Sequence, residues 1–209
     1  MSGTRRIGTE SAASRTALLD AALRLMVTEG YAAVTSRRVA AEAGLKPQLV
    51  HYYFRSMDDL FVAVVQRGAA QNLDRQARAL SSSEPLRALW ELSSDPTETT
   101  LLTELAALAN HRKAVRSELA AFAEQFRGQQ VKALPAILER CGFDADAVPP
   151  QAAAVILTAL SRIIGIERDL GLTTGHAELR HLVEGWLDVY EGAPSASASP
   201  TASNRPRRS

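Results

Sequence analysis

The chain has 209 residues, 46% of them apolar, enough to bury a core and to exclude wholesale disorder. Its net charge of +1 hides an uneven spread: residues 1–55 hold eight Lys/Arg against four Asp/Glu, the segment 193–209 adds three arginines, and 56–192 carries the compensating −6. A basic head on an acidic body suits a modular nucleic-acid binder, while a single cysteine, Cys141, excludes an internal disulfide and a multi-thiolate metal site and fits a reducing compartment.

Leu and Ala dominate and β-branched runs are rare, so the expected fold class is all-α. Residues 1–13 are rich in Gly, Ser and Thr and predict a mobile arm, in which Arg5 and Arg6 can reach phosphate or a minor groove. No apolar leader segment opens the chain, and the longest uncharged window, 147–161, is too short to span a bilayer. The expectation is a cytoplasmic protein with no membrane partner. Ser14 reads as the N-cap of a first helix over 14–29, with Leu18, Ala22, Leu25 and Met26 on one face and Gly30 just beyond its end.

The densest signal follows at 35–54. Thr35 caps a short helix that turns Val39, Ala40 and Ala43 inward and Arg37 and Arg38 outward. Gly44 supplies the left-handed turn, Leu45 anchors it, and Pro47 sits at a first helical position, where its missing N–H costs nothing. A second helix then runs to Tyr53, hiding Leu49, Val50 and Phe54. Ala40, four places before Gly44 and ten before Val50, is the small residue that two steeply crossed helices need at their closest approach. With basic residues outside, this register predicts a DNA-binding helix-turn-helix. Lys46 and Gln48 lie near the start of the second helix and suit guanine and adenine edges. His51 and Tyr52 suit phosphates or thymine methyls, and Thr35, Arg37 and Tyr52 would position the backbone.

The body is predicted as successive helices. Ser56 caps one to Leu80, with Asp58 and Asp59 in its first turn. Others cover 84–93, 97–110, 112–141 with a kink at Pro135, 150–170 and 175–191. Trp90, Leu105, Phe122, Phe126 and Leu157 can form an apolar effector pocket, oriented by Glu104, Asn110, His111 and Arg162. The helix at 150–170 is apolar nearly all round and must be covered on two sides. That predicts a homodimer in which Ile156, Leu160, Ile163, Leu179, Leu182, Val183, Trp186 and Tyr190 meet a second copy. The segment 193–209 is rich in Ser, Ala and Pro and is expected to be disordered.

These features resemble the TetR (tetracycline-repressor) family of bacterial regulators. The residues that carry the resemblance lie within about 14–62: Val34-Thr35, Ala40, Ala43-Gly44-Leu45, Val50 to Phe54, and the run from Phe54 through Ser56 to Leu60. His51 stands at the family's usual Tyr, Tyr53 at its usual His, Lys46 at a usual Ser/Thr cap, and Met57 at a usual phosphate-contacting Lys, where Met57 keeps a backbone N–H. The resemblance implies an N-terminal three-helix helix-turn-helix domain at 14–55 and a helical effector-binding and dimerisation domain at 56–192. It implies a repressor on a palindromic operator, released by a small, largely apolar effector. Two rival readings remain: an all-α enzyme or carrier with an incidental helix corner, and a DNA binder without effector. No phosphate loop, nucleophile elbow or metal-spaced pair is found among the four His, so no catalytic residue, cofactor or metal is predicted.

Overall fold

The computed structural model describes residues 3–143 and 148–192, the side chains of 3–11 excepted. The expectations for the segment 193–209 and for the side chains of Arg5 and Arg6 fall outside these residues. Among the described residues there are helices and turns and no strand, which bears out the all-α expectation.

The helices are α1 (Gly3–Glu29), α2 (Ser36–Glu42), α3 (Pro47–Tyr53), α4 (Met57–Leu80), α5 (Pro85–Ser93), α6 (Pro96–Ala109), α7 (Lys113–Arg140), α8 (Pro150–Asp169) and α9 (His176–Tyr190). One boundary differs from the sequence reading. The helix expected to start at Ser14 starts at Gly3, so Ser14 lies inside it and 3–13 are helical rather than a loose arm. No proline interrupts 3–13, and extending a helix that is already anchored costs far less than nucleating one. α7 continues through Pro135 without a break.

Local chemistry sets the other ends. α4 starts in a capping box: Ser56 Oγ accepts from Asp59 N and Asp59 Oδ2 accepts from Ser56 N, both at 3.1 Å. α2 ends in a Schellman turn: Leu45 N donates to Ala40 O at 2.8 Å and Gly44 N to Ala41 O at 3.1 Å, with Gly44 at φ +67°.

One apolar cluster joins the front of the molecule to its middle. It packs Leu18, Met26, Val39, Ala40, Val50 and Leu60 of the first four helices with Leu105, Leu108 and Val115 of α6 and α7. Full burial of a side chain like Leu60 contributes about 1.5–3 kcal/mol, so the shared cluster ties the N-terminal helices to α6 and α7 as well as to one another. α6 and α8 cross very closely. A Cβ on Gly165 would lie 2.4 Å from Thr99 Cγ2, so the crossing has room for glycine only.

α8 is, among the described helices, the one long and apolar enough to cross a membrane by length and composition. It exceeds the uncharged window of the sequence because it runs on past Arg162 to Asp169. Its Ala154, Ser161, Ile164 and Gly165 are buried within this chain, whereas Val155, Ile156 and Ile163 on other sides are exposed.

Candidate nucleic-acid interface and effector cavity

α3 owes its two faces to seven residues. Val50 is buried at 1% exposure and Phe54, just past the helix, at 3%, so both are held in the core. Lys46, Gln48, His51 and Tyr52 are exposed, with Tyr52 at 75%. That is high for an aromatic ring with nothing covering it. Tyr52 stacks edge-on against Tyr53, ring centres 5.0 Å apart, so its hydroxyl is carried on a supported ring. The guanidinium of Arg15 lies 5.3 Å from the Phe54 ring centre and ties α1 to the end of α3.

Thr35 caps α2, its Oγ1 accepting from Arg38 N at 3.3 Å, and it is exposed. Of the two outward arginines, Arg38 is engaged by Glu29. Arg37 is exposed and joins no ion pair among the described residues. Met57 differs from the polar set. Its side chain packs against the shared core, leaving its backbone at the start of α4 as the part that can face a phosphate. Six of the seven sequence-chosen reading residues therefore share solvent exposure on and around α2 and α3.

A cavity of about 610 Å³ opens between α4, the end of α5, α6, α7 and α8. Asn110, Phe122, Phe126 and Arg162 line it, as expected. The other five expected pocket residues do not. Trp90 and Leu157 line a second, smaller apolar groove of about 350 Å³ beside α9, because α5 turns Trp90 toward Val183 and Leu187. Leu105 lies in the shared core. His111 is exposed beyond the end of α6. Glu104 reaches the other way: its Oε2 accepts from Tyr31 N at 2.7 Å. Gly30, at φ +83°, allows this approach, since a Cβ there would sit 3.2 Å from the same oxygen. The sequence of α6 predicts a helix, but not that one face contacts the N-terminal helices while another lines the cavity.

Residues missed by sequence reasoning include Asn72, Glu98, Arg116 and Arg127, all lining the cavity. Glu98 is held by Asn72 Nδ2 at 2.9 Å and by Arg75 at 2.8 Å, and Arg75 also donates to Asp95 at 2.9 Å. Burial pushes the Asp95 carboxyl up, but Arg75 and the backbone N–H groups of Glu98 and Thr97 outweigh it and hold it below the usual carboxylate range. Arg116 caps the end of α6, donating to Ala109 O at 3.0 Å and Asn110 O at 3.1 Å. Burial, and then the like charge of Arg127, lowers the Arg162 pKa from its usual value. Glu167, on the same helix, meets His176 at 2.8 Å rather than Arg162.

At the far end, Ile156 (55% exposed), Ile163, Leu182, Trp186 (50%) and Tyr190 lie open on α8 and α9. Val183 does not belong with them. It is buried with Trp90, Ile164 and Leu187 inside this chain, and Leu160 and Leu179 are partly buried against the same cluster. α9 is fixed by contacts the sequence did not signal: Glu191 accepts from Leu86 N and Arg87 N at 2.6 and 2.8 Å, and Arg87 donates to Asp188 at 2.6 Å.

The family model for bacterial regulatory proteins of the tetR family matches residues 18–64, the helix-turn-helix and the start of α4. The HTH-type transcriptional regulator BetI of Rhizobium meliloti (strain 1021) is 31% identical over 174 residues, covering 76% of this chain and 85% of that protein. The chain belongs to the TetR family. A second BetI, from Agrobacterium fabrum (strain C58), is 37% identical over 109 residues, covering 50% of this chain and 52% of that protein. Among solved structures, a putative regulator from Saccharomonospora viridis in complex with choline superposes with a TM-score of 0.71 at 21% identity, over 85% of this chain and 96% of that one. A TetR regulator from Haloarcula marismortui gives 0.69 at 19% identity, over 86% and 98%. This TetR-family chain is thus a DNA-binding transcriptional regulator, with α2 and α3 as its helix-turn-helix.

Proposed function

We propose that the chain is a cytoplasmic homodimeric repressor without catalytic activity, released from a palindromic operator when a small, largely apolar effector fills the cavity between α4, the end of α5, α6, α7 and α8. In this reading 14–55 form the DNA-binding unit and 56–192 the effector-binding and dimerisation unit. The observation that carries it is the double role of α6. Thr99, Leu102, Thr103 and Ala106 line the cavity, while Glu104 and Leu105 on the same helix hold the N-terminal helices. An effector that binds one placement of α6 better than another shifts the reading heads by that difference in affinity. The complex of the Saccharomonospora viridis relative with choline supports a ligand-responsive body.

At the DNA, Lys46 and Gln48 read base edges, and Thr35, Arg37, His51, Tyr52 and the Met57 backbone set the register on phosphates. Ile156, Ile163, Leu182, Trp186 and Tyr190 join two copies.

Selection of bound fragments from the source genome tests this reading. The account expects a short inverted repeat, salt-sensitive binding, and at least one small molecule whose addition releases the fragment. Recovery of fragments with no common sequence would remove the operator, and release by no compound that fills the cavity would remove the switch.

A further inference from the structure

The polar groups of the cavity are not evenly free. The hydroxyls of Thr99, Thr103 and Thr158 donate to carbonyls of their own helices, Asp95, Thr99 and Ala154, at 2.8–3.1 Å. Both oxygens of Glu98, the one carboxylate on the wall, are taken by Asn72 and Arg75. Arg116 is committed to the end of α6. Of the charged groups, that leaves Arg127 and Arg162, which have no hydrogen bond or ion pair among the described residues and whose like charges repel; the neutral Ser93 hydroxyl and Asn110 amide also line the wall without a side-chain hydrogen bond. Around the two arginines the wall is apolar: Leu102, Phe122, Phe126 and Ile166. Arg127 is half-buried and Arg162 exposed, neither is neutralised by an acid among the described residues, and a carboxylate is the geometry their planar donors match.

We propose that the effector of this cavity is an amphiphilic acid, its carboxylate seated between Arg127 and Arg162 and its apolar body laid against Leu102, Phe122, Phe126 and Ile166. The proposal rests on the reading of this cavity as the effector site and specifies the chemistry of its ligand. A cationic ligand would meet like charge at Arg127 and Arg162 and find no free carboxylate on the wall. A neutral one would leave both charges unmatched.

The test uses the full chain and three matched series of straight-chain probes, kept below micellar concentrations: alkanoates from hexanoate to dodecanoate, the corresponding alkanols, and the corresponding alkyltrimethylammonium ions. Binding is measured by calorimetry on the wild type, on Arg127→Gln, on Arg162→Gln and on the double variant. Thermal unfolding of each variant confirms an intact fold. The expected result is an alkanoate bound at least about tenfold more tightly than its alkanol or ammonium match. Each single variant should weaken alkanoate binding while leaving alkanol binding unchanged, and the double variant should abolish the preference. Alkanols or ammonium ions that bind as tightly as alkanoates, or a preference that survives in the double variant, would overturn the acid while leaving the cavity as the effector site. Binding by none of the three series would overturn both. Alkanoate binding that leaves DNA affinity unchanged would keep the acid and remove the switch.

Discussion

The two ends of the molecule handle apolar surface in opposite ways. At the helix-turn-helix end, the apolar residues of α1–α4 are drawn into one cluster that runs on into α6 and α7, and Tyr52 alone stands out as a large exposed ring. At the α8–α9 end, Ile156, Ile163, Leu182, Trp186 and Val189 remain open although polar residues would cost nothing there. The first end is structurally complete within one chain, and its free groups are those that suit DNA. The second leaves apolar side chains uncovered within one chain, the kind of surface that a second copy would cover in the proposed dimer.

The comparison breaks most visibly in the shared core. Leu60→Ala should destabilise the chain by about 2–5 kcal/mol in urea unfolding, because Leu60 is fully buried in the cluster that joins the N-terminal helices to α6 and α7. A loss well under about 1 kcal/mol would mean that the N-terminal helices are held by something else. At the open end, Trp186→Glu should leave the helical content intact and weaken self-association by about 2 kcal/mol or more, read by sedimentation. An unchanged association constant would move the interface off α8–α9.

Smaller effects sharpen the division of labour at the DNA. Gln48→Ala should cost about 1–3 kcal/mol of discrimination at one base position, seen as a relaxed site in competition binding, with little change in stability. Glu104→Ala severs the link to Tyr31 N. It should leave effector affinity in place and reduce the effector-induced change in DNA affinity by about 1 kcal/mol of coupling, measured by titrating DNA with and without effector. Smallest is Arg37→Ala, which should weaken all sequences alike and lower the slope of log K against log salt by about 1.

How much of this was legible beforehand differs between the same two ends. The scaffold of the helix-turn-helix was readable because its constraints are local: Thr35 as cap, Ala40 at the crossing, Gly44 at positive φ and Val50 as wedge all act within a few turns of one another. The exposed face of α3 followed from the same register. The cavity was only partly readable, because its wall is assembled from five helices, α4 to α8, whose crossings the sequence does not give. Phe122 and Phe126 were found by helical spacing, but the choice between core and cavity for Leu105, Leu157 and Trp90 depends on how helices cross. The role of Glu98 depends on partners more than twenty residues away, Asn72 and Arg75. The tie from Glu104 to Tyr31 spans 73 residues and leaves no periodic trace. The start of α1 was misplaced for the opposite reason: Ser14 is a good cap by type, yet type alone does not stop a helix whose preceding residues can continue it.

The claim that organises the account is that the open α8–α9 face pairs two chains so that their two α3 helices read one palindrome. Native mass spectrometry of the chain on its selected DNA, combined with footprinting of the same complex, measures this directly. The account predicts an even number of chains per site, two at the simplest, and two protected half-sites spaced by whole helical turns of about 34–36 Å. The Trp186→Glu chain should lose that pairing. A single chain saturating the site with one protected half, or a Trp186→Glu protein that binds as the wild type does, would contradict it.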